Sequence, residues 1–349
     1  MPYTIINKST DYFNTKLWTG NASARSITGV GFQPDFVWTK RRDTTGWHYL
    51  QDAVRGAANT IYSNATNAET DSGTGGVTSF DSDGFSIGTY LDINANGGTY
   101  VGWNWKAGTG QGSSNTDGSI NTTYTSVNTT AGFSISKYTG TGSNATVGHG
   151  LGVAPKMIIV KNLGASQGWC VFHESIGATK FLSLNSTDAS VTASDRFNDT
   201  SPTSSVFSVG THADTNGSSA TYIAYCFAEK TGYSKFGSYT GNGNADGAFV
   251  YTGFKPAFVL NKRYSSAEGW HIFDNVRDTF NAAAGADDAL RPHLNNAEIS
   301  NWGVGFDFLS NGFKARATDG AINQNGGSYI YMAFGQSLVG SNNIPATAR

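Results

Sequence analysis

The stretch that decides the fold is Gly152-Val153-Ala154-Pro155-Lys156-Met157-Ile158-Ile159-Val160-Lys161. The same succession of glycine, proline, apolar run and lysine occurs in residues 31–40 and in residues 253–262. A Gly-Trp pair follows each copy, at residues 46–47, 168–169 and 269–270. Self-similarity of this kind identifies an internal repeat, and a repeat sets the architecture before any other motif is considered.

Two further blocks recur in the same order around each copy. A Thr-Gly turn precedes the proline, and a strand rich in aromatic residues follows the Gly-Trp pair, in residues 99–105, 221–227 and 328–334. The distance from the tryptophan to this strand is longer in the third copy, which predicts an insertion around residues 287–300. A repeat of about 100 residues has the size of a domain. We therefore predict three tandem units: residues 1–110 with an N-terminal arm, residues 111–233, and residues 234–349 with a C-terminal tail.

The residue pattern inside each unit predicts an all-β fold. Proline lacks the N–H that a ladder needs, so it suits the first residue of a strand. The apolar run after it, such as residues 157–160, is typical of a strand buried on both faces. The Gly-Trp pair starts the second strand of a hairpin. Many short strands with frequent turns favour an antiparallel, jelly-roll-like β-sandwich, with a β-barrel as the alternative.

The two borders between units differ in composition. Residues 108–132 are rich in Gly, Ser, Thr and Asn and read as a flexible linker. Residues 120–127 within it have the pattern of an edge strand of the second unit. The second border has no such segment, because residues 229–235 lead directly into the third unit. We expect the second and third units to be closely coupled.

Composition excludes several classes of function. The formal net charge is −2 and charged residues make up 14% of the chain, so no basic field is present to hold nucleic acid. No apolar run approaches the roughly 20 residues of a membrane helix, so no membrane insertion is expected. Residues 1–8 do not have the pattern of a signal peptide, which predicts either a protein made in the cytoplasm or one exported without an ordinary signal.

The two cysteines, Cys170 and Cys226, both lie in strand-like runs of the second unit. Buried thiols are the preferred interpretation, and a disulfide between them is the alternative. Two cysteines without clustered histidines do not predict a zinc site. The sequence predicts no cofactor and no metal.

The repeat also exposes candidate binding residues. Lys40, Lys161 and Lys262 close the same strand in all three units. A lysine there is either the solvated end of a strand or a ligand contact. Trp103 and Trp105 alternate along one strand and therefore share a face. That face belongs to the core, or else, if open, forms a platform on which a sugar ring could stack.

Three other motifs have simpler interpretations. Asp52 and Arg55 recur as Asp274 and Arg277, and their spacing predicts an ion pair that fixes a turn. The second unit has His173-Glu174 there, an acid–base pair without a third partner. Residues 81–84 form a turn rather than the calcium loop that their first two acidic residues would start. No paired carboxylates recur among the units, so we do not expect an enzyme.

Several stretches resemble a repeated domain in virion proteins of marine bacteriophages. The resemblance is carried by residues 11–20, residues 152–161 with 168–174, and residues 222–243, and it covers nearly the whole chain. It implies a tail-fibre-like or other structural protein, but it supplies no catalytic or binding residue.

From the resemblance we expect a structural component of a tail fibre, a tail appendage or the capsid surface, assembled into virions in the host cytoplasm. Its expected partners are other virion proteins, further copies of itself, as in a trimer, and host-surface glycans. As an alternative to the trimer, the three units of one chain could supply a pseudo-threefold arrangement by themselves. As a hypothesis, residues 1–14 dock onto the particle and the outer unit meets the host. The alternative is a free carbohydrate-binding, lectin-like protein.

Overall fold

Antiparallel β-sheets make up almost the whole chain in the computed structural model, which describes residues 4–279, 281, 287–300 and 302–337. The fold class is therefore all-β with sandwich-like layers, as predicted. The helical elements among the described residues are single turns: two 3₁₀ turns, Ser9–Asp11 and Glu174–Ile176, and two α-helical turns, α1 (Leu91–Asn94) and α2 (Ser194–Phe197).

The first unit contains a large sheet and a small one. Its strands are β1 (Phe13–Thr19), β2 (Arg25–Thr28), β3 (Phe36–Arg41), β4 (His48–Asp52), β5 (Asn59–Tyr62), β6 (Thr70–Asp71), β7 (Val77–Asp81), β8 (Gly84–Ile87) and β9 (Thr99–Trp105). The large sheet has the order β1-β9-β3-β4-β5-β6, and the small sheet has the order β2-β8-β7.

The second unit has the same two layers with one additional edge strand. Its strands are β10 (Tyr124–Asn128), β11 (Phe133–Thr139), β12 (Ala145–Gly148), β13 (Met157–Asn162), β14 (Trp169–His173), β15 (Lys180–Ser183), β16 (Val191–Thr192), β17 (Val206–Val209) and β18 (Thr221–Phe227). The large sheet runs β10-β11-β18-β13-β14-β15-β16, and β12 pairs with β17. The edge strand expected within residues 120–127 is thus found as β10.

The third unit contains β19 (Ser234–Thr240), β20 (Phe249–Tyr251), β21 (Pro256–Arg263), β22 (Trp270–Asp274), β23 (Phe306–Leu309), β24 (Gly312–Ala315) and β25 (Ser328–Gly335). Its large sheet has the order β19-β25-β21-β22, and its small sheet has the order β20-β24-β23. The predicted C-terminal tail, from residue 338 onward, lies outside the described residues. The domain borders remain predictions.

The large sheets of the three units share one hydrophobic core. On β9, Val101, Trp103 and Trp105 point into this core, together with Phe133 from the second unit and Phe334 from the third. The opposite face of each large sheet packs against the small sheet of its own unit and forms a separate cluster. Both faces are therefore buried, which explains why the strands after each proline are continuously apolar.

The ends of the described chain meet at the third unit. Ser9 Oγ donates to the carbonyl of Gln336 at 3.1 Å, and the ring of Phe13 stacks on Phe334. Ile6 belongs to the shared core and is 1% exposed. Ser9, Phe13 and Ile6 thus pack against their own chain, and the docking of residues 1–14 onto a particle stays a prediction.

In the first hairpin the tryptophan lies one residue closer to the lysine than it does in the other two. Lys161 pairs with Trp169 and Lys262 with Trp270, whereas Lys40 pairs with His48 rather than with Trp47. Because a shift of one residue turns a side chain to the other face of a sheet, His48 takes the buried position of the other two tryptophans. Trp47 instead packs half-buried against Tyr62.

Candidate functional site

The five residues predicted as ligand contacts are all buried. Trp103 and Trp105 are at most 1% exposed, because β9 directs them into the shared core. The interpretation of this face as core is therefore confirmed, and the alternative of a sugar-stacking platform is wrong. Lys40, Lys161 and Lys262 are each 0% exposed, so their interpretation as solvated strand ends or surface contacts is also wrong.

Lys161 and Lys262 join neighbouring units instead, while Lys40 donates to the carbonyl of Arg41 in its own unit. Lys161 Nζ donates to the carbonyls of Asn162 and Gln167 within the second unit, and at 3.0 Å to the carbonyl of Thr66 in the first unit. Lys262 Nζ donates in the same way at 3.1 Å to the carbonyl of Thr187 in the second unit. Burial lowers the pKa of each of the three lysines to about 8.

Backbone hydrogen bonds at the same places close the three units into a ring. Equivalent amide groups donate from the second unit to the first, from the third to the second and from the first to the third. These bonds are Gln167 N to Thr66 O, Glu268 N to Thr187 O, and Gly46 N to Asn295 O. Equivalent groups in the opposite direction are Glu69 N to Leu163 O, Ser190 N to Tyr264 O, and Glu298 N to Arg42 O. We call these contacts the 1–2, 2–3 and 3–1 seams. The insertion predicted at residues 287–300 contains the segment that closes the 3–1 seam.

The recurring Asp–Arg motif forms the predicted ion pair. Asp52 Oδ2 lies 2.5 Å from Arg55 Nε, and Asp274 Oδ2 lies 2.6 Å from Arg277 Nε, with all four side chains fully buried. Each carboxylate also accepts from a neighbouring unit. Tyr225 donates to Asp52 at 2.7 Å, and Trp103 donates to Asp274 at 2.9 Å.

His173 holds the equivalent place in the second unit. Its Nε2 lies 3.2 Å from the carbonyl of Tyr331 in the third unit, and its Nδ1 accepts from the amide of Ser175. Glu174 forms an ion pair with Lys156 at the surface. The two neighbours are thus engaged with different partners, and His173 contributes to the 2–3 seam.

Histidines are concentrated at the 3–1 seam. His48 from the first unit lies near His293 and Lys40, and the His271 ring lies 6.5 Å from the His293 ring. Burial, with Arg291 and Lys262 nearby, lowers the pKa of His293 to about 4, and burial also lowers the pKa of His48 and His271. At the other two seams the place of His293 is taken by Asn64 and Asn185.

The remaining motifs of the sequence are structural. Residues 81–84 form the turn between β7 and β8, as predicted. Within this turn, the carboxylate of Asp83 accepts hydrogen bonds from the amides of Gly29 and Gly31. Cys170 and Cys226 are both free and fully buried, which excludes the disulfide. Across the described residues, no group of three or more His, Cys, Asp or Glu side chains could hold a metal ion. No helix in the described part of the chain is long and apolar enough to cross a membrane.

A small acidic cavity of about 20 Å³, large enough for a water molecule, lies in the third unit, where comparison of the three units gives no signal. Asp278, Asp287 and Asn281 line it together with Phe273, Phe306 and Phe308. Burial, followed by the nearby Asp278, raises the pKa of Asp287 to about 8, and Asp287 Oδ2 accepts from the Phe306 amide. The cavity could not be recognised from sequence, since its four aspartates, Asp274, Asp278, Asp287 and Asp288, follow no recurring spacing among the three units.

The most distinctive exposed surface of the third unit lies on β20. Phe249 is 47% exposed and Tyr251 is 57% exposed, while Val250 between them points into the unit's own core. Lys235 Nζ lies 5.8 Å from the centre of the Tyr251 ring. On the neighbouring strand Lys314 is paired with Asp246, and Arg316 lies 3.2 Å from Asp307. We call residues 249–251 with Lys235 and Asp246 the β20 surface.

The β20 surface has no aromatic counterpart in the other units. Equivalent positions on β2 carry Ser26 and Thr28, and those on β12 carry Thr146 and Gly148. Internal comparison of the loops and edges could have found this signal, because the three copies differ there while the strands after each proline agree. The chain therefore presents one exposed aromatic pair on an otherwise shared framework of β2, β12 and β20.

The comparisons assign the chain to a family without a known activity. Residues 8–337 match the model of a domain of unknown function, DUF7483, and the chain belongs to this family. The match runs through all three units. Neither the curated proteins nor the solved structures contain a match to this chain.

Proposed function

We propose that the chain is a structural component of a bacteriophage particle, as part of a tail fibre, a tail appendage or the capsid surface. The observation that carries the proposal is that the recurring polar residues hold the three units together. Two of the three lysines and both Asp–Arg pairs are buried and bonded across seams, as in Lys161 with Thr66 and Asp52 with Tyr225. A module whose repeated ionisable groups hold its own units together is suited to a mechanical role.

A ring of this kind also fits the expected surroundings of a virion protein. Three seams in a single chain complete the shared core, so a trimer is not needed to bury it. In this proposal the chain is assembled in the host cytoplasm, is not an enzyme, and contacts other virion proteins. The resemblance to marine phage virion domains supports the same assignment.

The direct test is to locate the chain in purified particles. We expect peptides of the chain in the mass spectrum of density-purified virions, and gold-labelled antibodies at one defined place, either tail or capsid. The control is a lysate from which particles have been removed. A chain found only in the particle-free fraction, at any stage of infection, would contradict the proposal.

The second candidate, a free carbohydrate-binding protein, is favoured by the exposed pair Phe249 and Tyr251, because aromatic faces stack on sugar rings. The test is a glycan array with the wild type, the double variant F249A/Y251A and the matched control S26A/T28A. The lectin interpretation requires binding that the double variant loses and the control keeps. Absence of glycan binding by the wild-type chain would contradict the lectin interpretation.

A further inference from the structure

The free edges of the second unit are covered by its own chain. β10 pairs with β11 along the edge of the large sheet. On the small sheet, the amide of Ile120 donates to the carbonyl of Thr146 on β12 at 2.9 Å, and the two strands run parallel there. Both covering segments belong to the long linker that precedes the unit. This framework is therefore able to accept an added strand at the edge formed by β12.

Among the described residues, no segment pairs with the equivalent edge of the third unit. Only residues 228–233 separate β18 from β19, so no linker is available to lie over it. Ala315 N donates to Ala248 O, and hydrogen bonds in an antiparallel pair involve alternate residues. The amides and carbonyls of Phe249 and Tyr251 therefore point away from β24, toward solvent.

The side chains on this edge do not prevent association. Proteins usually protect an open edge with charged residues, proline or a bulge. On the corresponding β2 of the first unit the outward residues are Ser26 and Thr28, with Arg25 beside them. On β20 they are Phe249 and Tyr251, two large apolar groups on the same face of an exposed strand.

The charges beside β20 are arranged so that the edge is complementary to itself. Lys235 lies next to Tyr251 at one end. Asp246, 75% exposed, pairs with Lys314, the cross-strand neighbour of Phe249, and so marks the other end. Two such edges placed antiparallel about Val250 would set Phe249 opposite the partner's Tyr251 and Lys235 near the partner's Asp246. Aromatic cross-strand pairs and opposite charges both stabilise such a ladder.

We propose that β20 is a homodimerisation edge, at which a second copy of this chain adds its own β20 in antiparallel orientation and joins two three-stranded sheets into one. This inference does not depend on the virion assignment. The occupant is a second copy because the edge supplies both the aromatic pair and the two opposite charges that a twofold contact requires.

The first experiment measures the mass of the full chain by light scattering after size exclusion, over a range of concentrations. The wild type is expected to approach about 74 kDa, twice the 36.9 kDa of one chain. F249K places a charge on the edge, and Y251P removes an outward amide that makes no bond to β24; both are expected to remain at one chain's mass. S26K, the same change at the equivalent position of the first unit, should dimerise normally.

The second experiment identifies the contact. A zero-length carbodiimide cross-linker joins a lysine amine to a carboxylate, and a mixture of heavy- and light-isotope chains distinguishes links between chains from links within one. We expect a mixed-isotope Lys235–Asp246 peptide, lost in F249K and in Y251P. A monomeric wild type at every concentration, a dimer that persists in both variants, or glycan binding that requires Phe249 and Tyr251 would each overturn the proposal.

Discussion

His293 gives the sharpest quantitative prediction, because the chain contains its own replacement. The Nδ1 atom of His293 accepts a hydrogen bond from the amide of Trp270 at 3.2 Å. At the two equivalent places, Oδ1 of Asn64 accepts from the His48 amide at 2.8 Å and Oδ1 of Asn185 accepts from the Trp169 amide at 2.9 Å. The substitution His293→Asn therefore keeps the hydrogen bond and removes a titrating group from the 3–1 seam.

The size of the effect follows from the pKa of His293. Burial lowers this pKa from 6.5 to about 4, so the folded protein binds fewer protons than the unfolded chain between these values. The histidine's contribution to stability is therefore complete above pH 6.5 and is lost as the pH falls toward 4. At pH 4.5 the loss amounts to about 2.5 kcal/mol in the free energy of unfolding.

The assay is urea unfolding followed by tryptophan fluorescence at pH 7 and at pH 4.5. Between the two, wild type should lose about 2.5 kcal/mol more than H293N, and at pH 7 the two should agree within about 1 kcal/mol. The burial that lowers the pKa of His48 and His271 is common to both proteins, and only the interaction of these two histidines with His293 differs between them. Equal losses in the two proteins would refute the reasoning that protonation of His293 weakens the 3–1 seam.

Three further predictions concern the seams and the core. Tyr225→Phe removes the hydroxyl that donates to Asp52 and should lower the free energy of unfolding by about 1–3 kcal/mol. The control Tyr62→Phe loses only an exposed bond to Thr70 and should change the free energy of unfolding by less than about 0.5 kcal/mol. Equal effects of the two substitutions would show that the bond between Tyr225 and Asp52 does not stabilise the seam. Since burial lowers the pKa of Lys161 to about 8, its contribution should make the wild type about 1.3 kcal/mol more stable at pH 9 than at pH 7. In urea unfolding at both pH values, Lys161→Met should gain about 1.3 kcal/mol less than the wild type between pH 7 and pH 9, because the equally buried Lys40 and Lys262 still contribute. The partly exposed control Lys180→Met should gain as much as the wild type, and an equal gain in K161M would contradict the buried charge. Cys170 and Cys226 are 0% exposed, and burial raises the pKa of both thiols. A thiol reagent should therefore label neither cysteine in the native protein at pH 8 and both in urea. Rapid labelling of the native protein would instead place a thiol at the surface.

The sequence alone predicted much of the scaffold. The all-β class, the strand after each proline, the edge strand at β10 and the ion pair of Asp52 with Arg55 all follow from local patterns. Each depends on residues close together in the chain, where strand alternation, proline geometry and short spacings act directly. Trp103 and Trp105 were likewise assigned correctly to one face of a strand.

The sites were not predictable in the same way. Lys161 looked like a strand end beside solvent, and the buried position became apparent only from the Thr66 carbonyl, 95 residues away in sequence. The first Gly-Trp pair looked equivalent to the others, but its tryptophan lies one residue closer to the lysine, so His48 takes the buried position in a hairpin turn of the same length. The exposed β20 edge depends on the absence of a covering segment, which no local pattern of residues 249–251 encodes.

The sequence by itself determined that the chain is a repeated all-β scaffold and which side chains share each face of a strand, because alternation is a property of the backbone. Only the tertiary structure decided what each face meets. Three large sheets each leave an apolar face that one unit cannot cover, and burying these faces together closes the ring. That closure turns two of the lysines, the Asp–Arg pairs and the histidines into seam contacts, and leaves the edge of β20 open for a partner.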